Sequence, residues 1–442
     1  MTITKKALSI TLFLSFTNTV QPTCVALFDA TFREGNKKVT KKAIYRKDIF
    51  EYITGMQEPN FVQQFKKTCT MPEFPEKNKK LAHNMSHSHP TLQELKNTAQ
   101  NKLSTKHHGK LSIIHVDIVK NPNLRHLIDI GALQAAHPGA VFQTASRPNG
   151  LEGPQRSFLN YKKDFDAKEH GFNRILSKFA VQGEEAQISC AIKGICEIYD
   201  TPELINFFDN LNIAINPKGD LTNIDANLLA THDIESLSNL IRVGHWKNIP
   251  VTTGYANILY QSEGIKKEQN LNAAAREKNP VDANVFITHP HLISQVNVTA
   301  LDLNQKRGIT TNLFKSQSPK NWKENSEKLA RAALQAAYEG TLYCALLENK
   351  KNVFLTLVGA GSFENKLDWI ADILESLQAN NIIKHSGLNI SLVVVEVNGH
   401  LQLSENVNVW KRLQHLATTS GGTIKSNGKT RHLSRKSLKS SK

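Results

Sequence analysis

The chain predicts a three-layer α/β/α sandwich with a mostly helical N-terminal extension. Three observations lead there. Apolar runs of strand length recur between residues 105 and 420, helical patterns separate them, and one run passes through a glycine-bearing loop directly into a helix. Strands that are apolar throughout are buried on both faces, and their alternation with helices is the pattern of a sheet covered by helices. With 442 residues, 40% of them hydrophobic, the chain can build such a core and still carry flanking segments.

Four segments are expected: 1–30, 31–104, 105–420 and 421–442. In the first, Lys5 and Lys6 precede the apolar run 7–16, which imitates the charged and apolar parts of a secretory signal. The run is short and no clean small-x-small site follows it, Cys24-Val25-Ala26 being the nearest, so cleavage stays open. Residues 31–104 read as helices near 46–55, 60–68 and 91–103, joined by Lys-rich connections and interrupted by Pro72, Pro75 and Pro90. His83, His87 and His89 have spacing that can hold a metal. No acid or cysteine joins them, so they read as a solvated polar linker, as do His107 and His108.

From residue 111 the strand runs begin. A strand is expected over 111–119, a helix near 123–136, and a strand over 140–145 that ends in Ser146-Arg147-Pro148-Asn149-Gly150. Helical patterns follow near 184–199, 202–210 and 226–243, then a strand over 284–288 with His289-Pro290-His291 after it. Ser318-Pro319 reads as the cap and first turn of a long helix reaching about residue 347. The apolar run 352–358 then enters the loop, the helix marked by Phe363, Leu367, Ile370, Leu374 and Leu377 follows, and a last strand covers 389–397. Beyond Gly421 the chain is rich in Ser and Lys without apolar periodicity, which predicts a disordered basic tail over 421–442.

The net charge of +16 points at first to nucleic acid, but its distribution argues otherwise. Residues 1–110 carry 18 Lys/Arg against 8 Asp/Glu, and residues 425–442 carry seven Lys/Arg and no acid. The centre is therefore nearly neutral, which disfavours a nucleic-acid-binding face. No further apolar run approaches the roughly 20 residues of a membrane span. The five cysteines are odd in number and form no Cys-x-x-Cys pair, so a reducing compartment without structural zinc is expected, with Cys190 and Cys344 buried and inert. A monomer without metal or cofactor is the simplest expectation.

The loop after residue 358 has a definite chemistry. Strand, tight turn and helix N-terminus aim N–H groups at one spot where the helix dipole favours negative charge. Gly359 and Gly361 allow the backbone to approach a ligand without Cβ interference. No Gly-Lys-Ser/Thr follows, so this is not a Walker loop, and a third glycine is missing for a dinucleotide fingerprint. A plain turn between strand and helix remains the alternative for the same residues. Ligands in such folds collect at the carboxyl ends of strands, and the loops 146–153 and 359–365 both leave strands there.

Several stretches resemble one family. Val353–Asn365, followed by Trp369-Ile370, resembles the phosphate loop of macrodomain-like proteins of the poly(ADP-ribose) glycohydrolase type, whose usual form has three glycines, a small residue, Phe, Gly and Asn. Residues 332–342 are similar to the helix leading into that loop, and residues 145–152 to the family's Ala-Ser-Gln-Phe-Asn-x-Leu-Glu element. Residues 182–188 stand where the family has a Gln-Gly turn entering a helix, and residues 295–302 resemble a further strand-end element. Within the family the chain resembles secreted bacterial effector ADP-ribosyl hydrolases of the MavL type, which act on host ubiquitin.

The resemblance implies a macrodomain-like fold, ADP-ribose or an ADP-ribosylated protein as ligand, and ubiquitin as a candidate carrier. It implies action in a host cytoplasm as an effector, with the basic tail as translocation signal; export by an N-terminal signal peptide is the alternative. Implied ligand contacts are Asn149, Gly150, Leu151, Gln182, Asn297, Gly359, Ala360, Gly361, Ser362 and Phe363. The candidate acids are Glu152, Glu184, Glu185 and Asp302. Departures are Ala360 for the middle glycine, Glu364 for the glycine after Phe, and Arg147-Pro148 for Gln-Phe. Gly183 also splits Gln182 from Glu184-Glu185, and no glycine triplet precedes them.

Hydrolysis of an ADP-ribosyl bond passes through an oxocarbenium-like state, in which a carboxylate activates water and stabilises positive charge. Each candidate also has a plain structural role. Glu184 and Glu185 suit a helix first turn, Asp302 a turn, Glu152 a brace for Asn149-Gly150, and Phe363 a core anchor. Asn149 beside Gly150 is ordinary turn chemistry. His289 and His291 are candidates for acid–base work or a metal. A reader that binds ADP-ribose without turnover is the rival function. A nucleotide-dependent oxidoreductase is weaker, since no dinucleotide fingerprint or nucleophile elbow is present.

Overall fold

The computed structural model describes residues 28–34, 37–45, 49–55, 85–117, 130–146, 148, 205–216, 219–255, 258–260, 283–304, 309–361, 363–396, 406–426 and 429–431. Its strands are β1 (Phe28–Glu34), β2 (Lys37–Tyr45), β3 (Ser86–Ser88), β4 (Lys110–Asp117), β5 (Val141–Ser146), β6 (Gly244–Tyr255), β7 (Ile258–Tyr260), β8 (Ala283–Thr299), β9 (Asn352–Thr356), β10 (Asn389–Glu396), β11 (Ile424–Ser426) and β12 (Lys429–Arg431). Its helices are α1 (Ile49–Thr54), α2 (Leu92–Ala99), α3 (Ile130–Ala136), α4 (Ala226–Thr231), α5 (Ile234–Leu240), α6 (Ile309–Gln317), α7 (Trp322–Leu347), α8 (Leu367–Ala379), α9 (Ile382–Ser386) and α10 (Val407–Thr419).

Strands β4, β10, β9, β5 and β8 lie side by side and parallel, so their carboxyl ends share one edge of the sheet. Beyond β8 the sheet turns antiparallel: β6 runs along it, and β2, β1 and β7 extend it. Side-chain alternation sorts the parallel strands cleanly. Leu111 and Ile113, Ile390, Leu392 and Val394, Val353 and Leu355, and Val296 and Val298 enter one core with helix α7. Phe142 and Phe354 occupy the alternate positions and stack at 4.8 Å, with His137, just after α3, against Phe354. Each fully buried branched or aromatic side chain contributes about 1.5–3 kcal/mol. The result is a mixed α/β fold with helices against a central sheet.

Helix α7 organises this core. Its Ala330, Ala332, Ala333, Ala336 and Ala337 are all buried, and such small side chains let strands and helices approach closely. Helix α2, opened by a Thr91/Glu94 capping box, adds Leu92, Leu95 and Ala99 to the same core. Helix α8 is tied to α10 by Arg412, which reaches Asp368 at 3.2 Å, Asp372 at 2.7 Å and Glu375 at 2.5 Å.

Several expectations are corrected. Among its described residues the extension carries strands beside its helices α1 and α2: β1 and β2 pair with Glu34 opposite Lys37, and Ala43 and Ile44 are buried where β2 meets β8. Gly35-Asn36 between them is a two-residue hairpin signal that the lysine-rich composition obscured. Within the tail expected to be disordered, Ile424–Ser426 and Lys429–Arg431 are strands: β11 pairs with β4 and with β12 and buries Ile424. The helix expected over 226–243 is two helices, each with its own aspartate cap, Asp225 and Asp233. The long helix begins at Trp322, while Ser318 closes α6 and accepts from Asn325 Nδ2. The short strand expected at 284–288 is part of the 17-residue β8, so His289 and His291 lie within a strand, and His291 Nε2 meets the carbonyl of Gln134 at 2.9 Å.

The stretch around His87 is packed rather than a solvated linker. β3 pairs with β6, His87 lies against Trp246 at 4.8 Å, and His89 lies against Phe207. Burial, helped by the neighbouring His87 and Arg242, lowers the His89 pKa from 6.5 to about 4. A histidine depressed in the folded state stabilises above its unfolded pKa and loses that contribution as pH falls. Stability should therefore decline between pH 6.5 and about 4, and His89→Gln should shallow that decline. Superimposable acid-unfolding curves for the variant and the wild type would exclude this origin.

Candidate functional site

The candidate site lies where β9 and β8 deliver their chains to the carboxyl edge of the sheet. At the end of β9 the Thr356 N–H donates to Gln143 Oε1 at 3.1 Å. The Tyr338 hydroxyl, fully buried on α7, donates to the Thr356 carbonyl at 2.7 Å and accepts from the Val358 N–H at 3.2 Å. Burial pushes the Tyr338 phenol far above its ordinary pKa, so it remains a donor. Tyr338→Phe keeps the volume but removes both of these hydrogen bonds, leaving the Val358 N–H and the Thr356 carbonyl only the 3.0 Å bond they make to each other. It should cost about 1–3 kcal/mol, read as a lowered denaturation midpoint; an unchanged midpoint would show that the hydroxyl does not brace this exit.

The loop then folds on itself. Ala360 N–H donates to Leu357 O, Glu364 N–H to Gly361 O and Asn365 N–H to Gly359 O. Gly359 has φ +72°, and a Cβ there would lie 2.5 Å from Ala300 Cβ and 2.8 Å from Asn365 Nδ2. Around Gly361 a Cβ would meet nothing within 4 Å. Among the described residues, nothing accepts from the N–H groups of Gly359, Gly361 or Phe363. Helix α8 starts immediately afterwards with Lys366 at its N-cap, and no side chain caps it. Unpaired loop donors beside an uncapped helix N-terminus are chemically suited to an anion.

The segment after β8 is stitched to this loop. Asn365 Nδ2 donates to Leu301 O at 2.8 Å, and the Leu303 N–H donates to Phe363 O at 3.0 Å. Asp302 sits between those two attachments, half-buried, with Oδ1 accepting from the Asn304 N–H at 3.0 Å. The site thus joins loop donors and one carboxylate-bearing segment.

The expected residues divide into three groups. Gly359, Ala360, Gly361, Phe363 and Asp302 belong to the two stitched segments. Asn297 does not: it lies inside β8, 1% exposed, and its Oδ1 accepts from the Thr144 hydroxyl. Asn149, Gly150, Leu151, Glu152, Gln182, Glu184, Glu185 and Ser362 lie outside the described residues. Ala360 and Phe363 pack against the core, so the Ala360 methyl is spent on packing. Glu364, in a left-handed conformation with φ 57°, is exposed. Gln143 and Tyr338 are positioning groups that the sequence reading assigned no role, and Asn365 stood there only as the last residue of the loop motif. The one signal at Gln143 is a carboxamide inside the strand run 140–145.

Among the described residues, no group of three or more His, Cys, Asp or Glu side chains is placed to hold a metal, and no helix is long and apolar enough to cross a membrane. Cys344 is buried, and burial raises its thiol pKa; the other four cysteines lie outside the described residues.

No protein-family profile and no curated protein matches the chain. Among solved structures it is similar to poly(ADP-ribose) glycohydrolase from Thermomonospora curvata, with 10% identity and a TM-score of 0.39 over 83% of this chain and 98% of that one. The same enzyme bound to the inhibitor ADP-HPD gives 9% and 0.35 over 83% and 98%. The glycohydrolase from Deinococcus radiodurans in complex with ADP-ribose gives 10% and 0.37 over 77% and 98%. Likeness of this order establishes neither membership of that family nor a shared function.

Proposed function

We propose that the chain is an ADP-ribosyl hydrolase that releases ADP-ribose from a modified protein. One observation carries the reading: the unpaired N–H groups of Gly359, Gly361 and Phe363 stand beside the uncapped start of α8, in a loop stitched to the segment of Asp302. The diphosphate of ADP-ribose suits the loop donors, and the five sequence elements that carry the resemblance favour that ligand over other anions. With the diphosphate held, the ribose anomeric carbon is presented to a carboxylate. A water then attacks that carbon and gives a proton to the carboxylate, while the bond to the protein breaks and the leaving atom takes up a proton. Asp302 is the candidate among the described acids; Glu152, Glu184 and Glu185 are the others. Ubiquitin as carrier, and action as a secreted effector in a host cytoplasm, rest on the sequence resemblance and the basic tail alone.

The test is release of free ADP-ribose from a mono-ADP-ribosylated protein, measured beside binding of ADP-ribose. Release with saturable binding supports hydrolysis. Binding without release makes the chain a reader, and absence of both rejects the ADP-ribose reading.

A further inference from the structure

We propose that Asn365 is a positioning residue, whose buried carboxamide fixes the Asp302 segment against the anion loop. Its consequence for turnover rests on the function proposed above; the staple itself does not. Asn365 is 3% exposed, and its Nδ2 meets three carbonyls: Leu301 O at 2.8 Å, Gly359 O at 3.3 Å and Phe363 O at 3.3 Å. Only an N–H group can face three carbonyl oxygens favourably, so the amide orientation follows from its surroundings. Its two hydrogens are shared between the loop and the segment after β8. Among the described residues its Oδ1 has no hydrogen-bond partner, so the group is held by its donors.

The staple acts on both sides of Asp302. Leu301 is held by the Asn365 side chain, and Leu303 is held through its own N–H on Phe363 O. Gly359 allows the close approach, since a Cβ there would lie 2.8 Å from Asn365 Nδ2 and 2.5 Å from Ala300 Cβ. Loop, amide and Asp302 segment therefore form one close-packed unit. The loop N–H groups that would hold a diphosphate are not among the groups Asn365 engages, so losing the amide should separate binding from turnover.

Asn365→Ser in the full chain tests this through hydrogen exchange at Leu303, ADP-ribose affinity and ADP-ribose release. The Leu303 amide should exchange about tenfold faster or more, while the Val353 and Leu355 amides of β9 keep their protection. ADP-ribose Kd should stay within about threefold and turnover should fall about 10²-fold, the scale of a small misplacement of a reacting group. Asn365→Asp removes the donors at neutral pH but regains one when its carboxyl is protonated, so its turnover relative to wild type should recover as pH falls. Unchanged Leu303 exchange in Asn365→Ser overturns the staple. Faster exchange with full turnover, or with affinity and turnover lost in equal measure, overturns the positioning role. A wild-type chain that fails to bind ADP-ribose instead rejects the function proposed above, while Leu303 exchange still decides the staple.

Discussion

Gly361→Glu should abolish ADP-ribose binding and leave the fold as stable as the wild type. The position is open, with nothing within 4 Å of where a Cβ would stand, so a side chain can be accommodated without moving the core. That side chain carries negative charge into the cradle formed by the neighbouring N–H groups, where a diphosphate would have to sit. Gly359→Ala is the informative contrast. There the backbone is left-handed at φ +72° and Ala300 and Asn365 are already in contact distance, so the methyl group strains the turn and its neighbours. The combined cost should be about 2–4 kcal/mol. Thermal denaturation and calorimetric titration of both variants separate the two cases. Full affinity in a folded Gly361→Glu protein would show that the ligand does not approach this loop.

Asp302→Asn should lower the release of ADP-ribose by about 10² to 10⁴-fold while ADP-ribose still binds. The amide preserves the size of the side chain and removes its capacity to take a proton from water. Binding survives in this account because the diphosphate is held by backbone donors of the other segment. Turnover and affinity must be measured on the same preparation. If Asp302→Asn keeps full activity, the base is elsewhere, and the matching amide changes at Glu152, Glu184 and Glu185 identify which acid serves.

Four of the five parallel strands were legible because apolar residues predominate in them: 111–116, 141–145, 353–355 and 390–395 needed no tertiary information. The antiparallel part of the sheet was not. β8 carries His289, Pro290, His291, Gln295 and Asn297, and β6 carries His245, Lys247 and Pro250, so neither shows a continuous apolar run. Their pairing is decided by each other, and tertiary context overrides the local pattern. β2 was hidden by its lysines, β1 by Asp29, Arg33 and Glu34, and β11 by its brevity, since a three-residue strand has no periodicity to read. In the site, Gly359 and Gly361 announced the turn, but the sequence could not say which glycine is strained and which is open. That distinction comes from how closely Ala300 and Asn365 stand to Gly359, which only the fold decides. Asn297 was named as a ligand contact through the resemblance of residues 295–302; two residues before the end of β8, it is engaged by Thr144 on the neighbouring strand.

Calorimetric titration with ADP-ribose and with adenosine tests the central claim most directly, because the two share a base and ribose and differ in the diphosphate and the second ribose. If the N–H groups of Gly359, Gly361 and Phe363 form the anion cradle, ADP-ribose should saturate a single site, ADP should compete for it, and adenosine should bind far more weakly. Equal affinities for adenosine and ADP-ribose, or no saturable binding of ADP-ribose at all, would contradict the account.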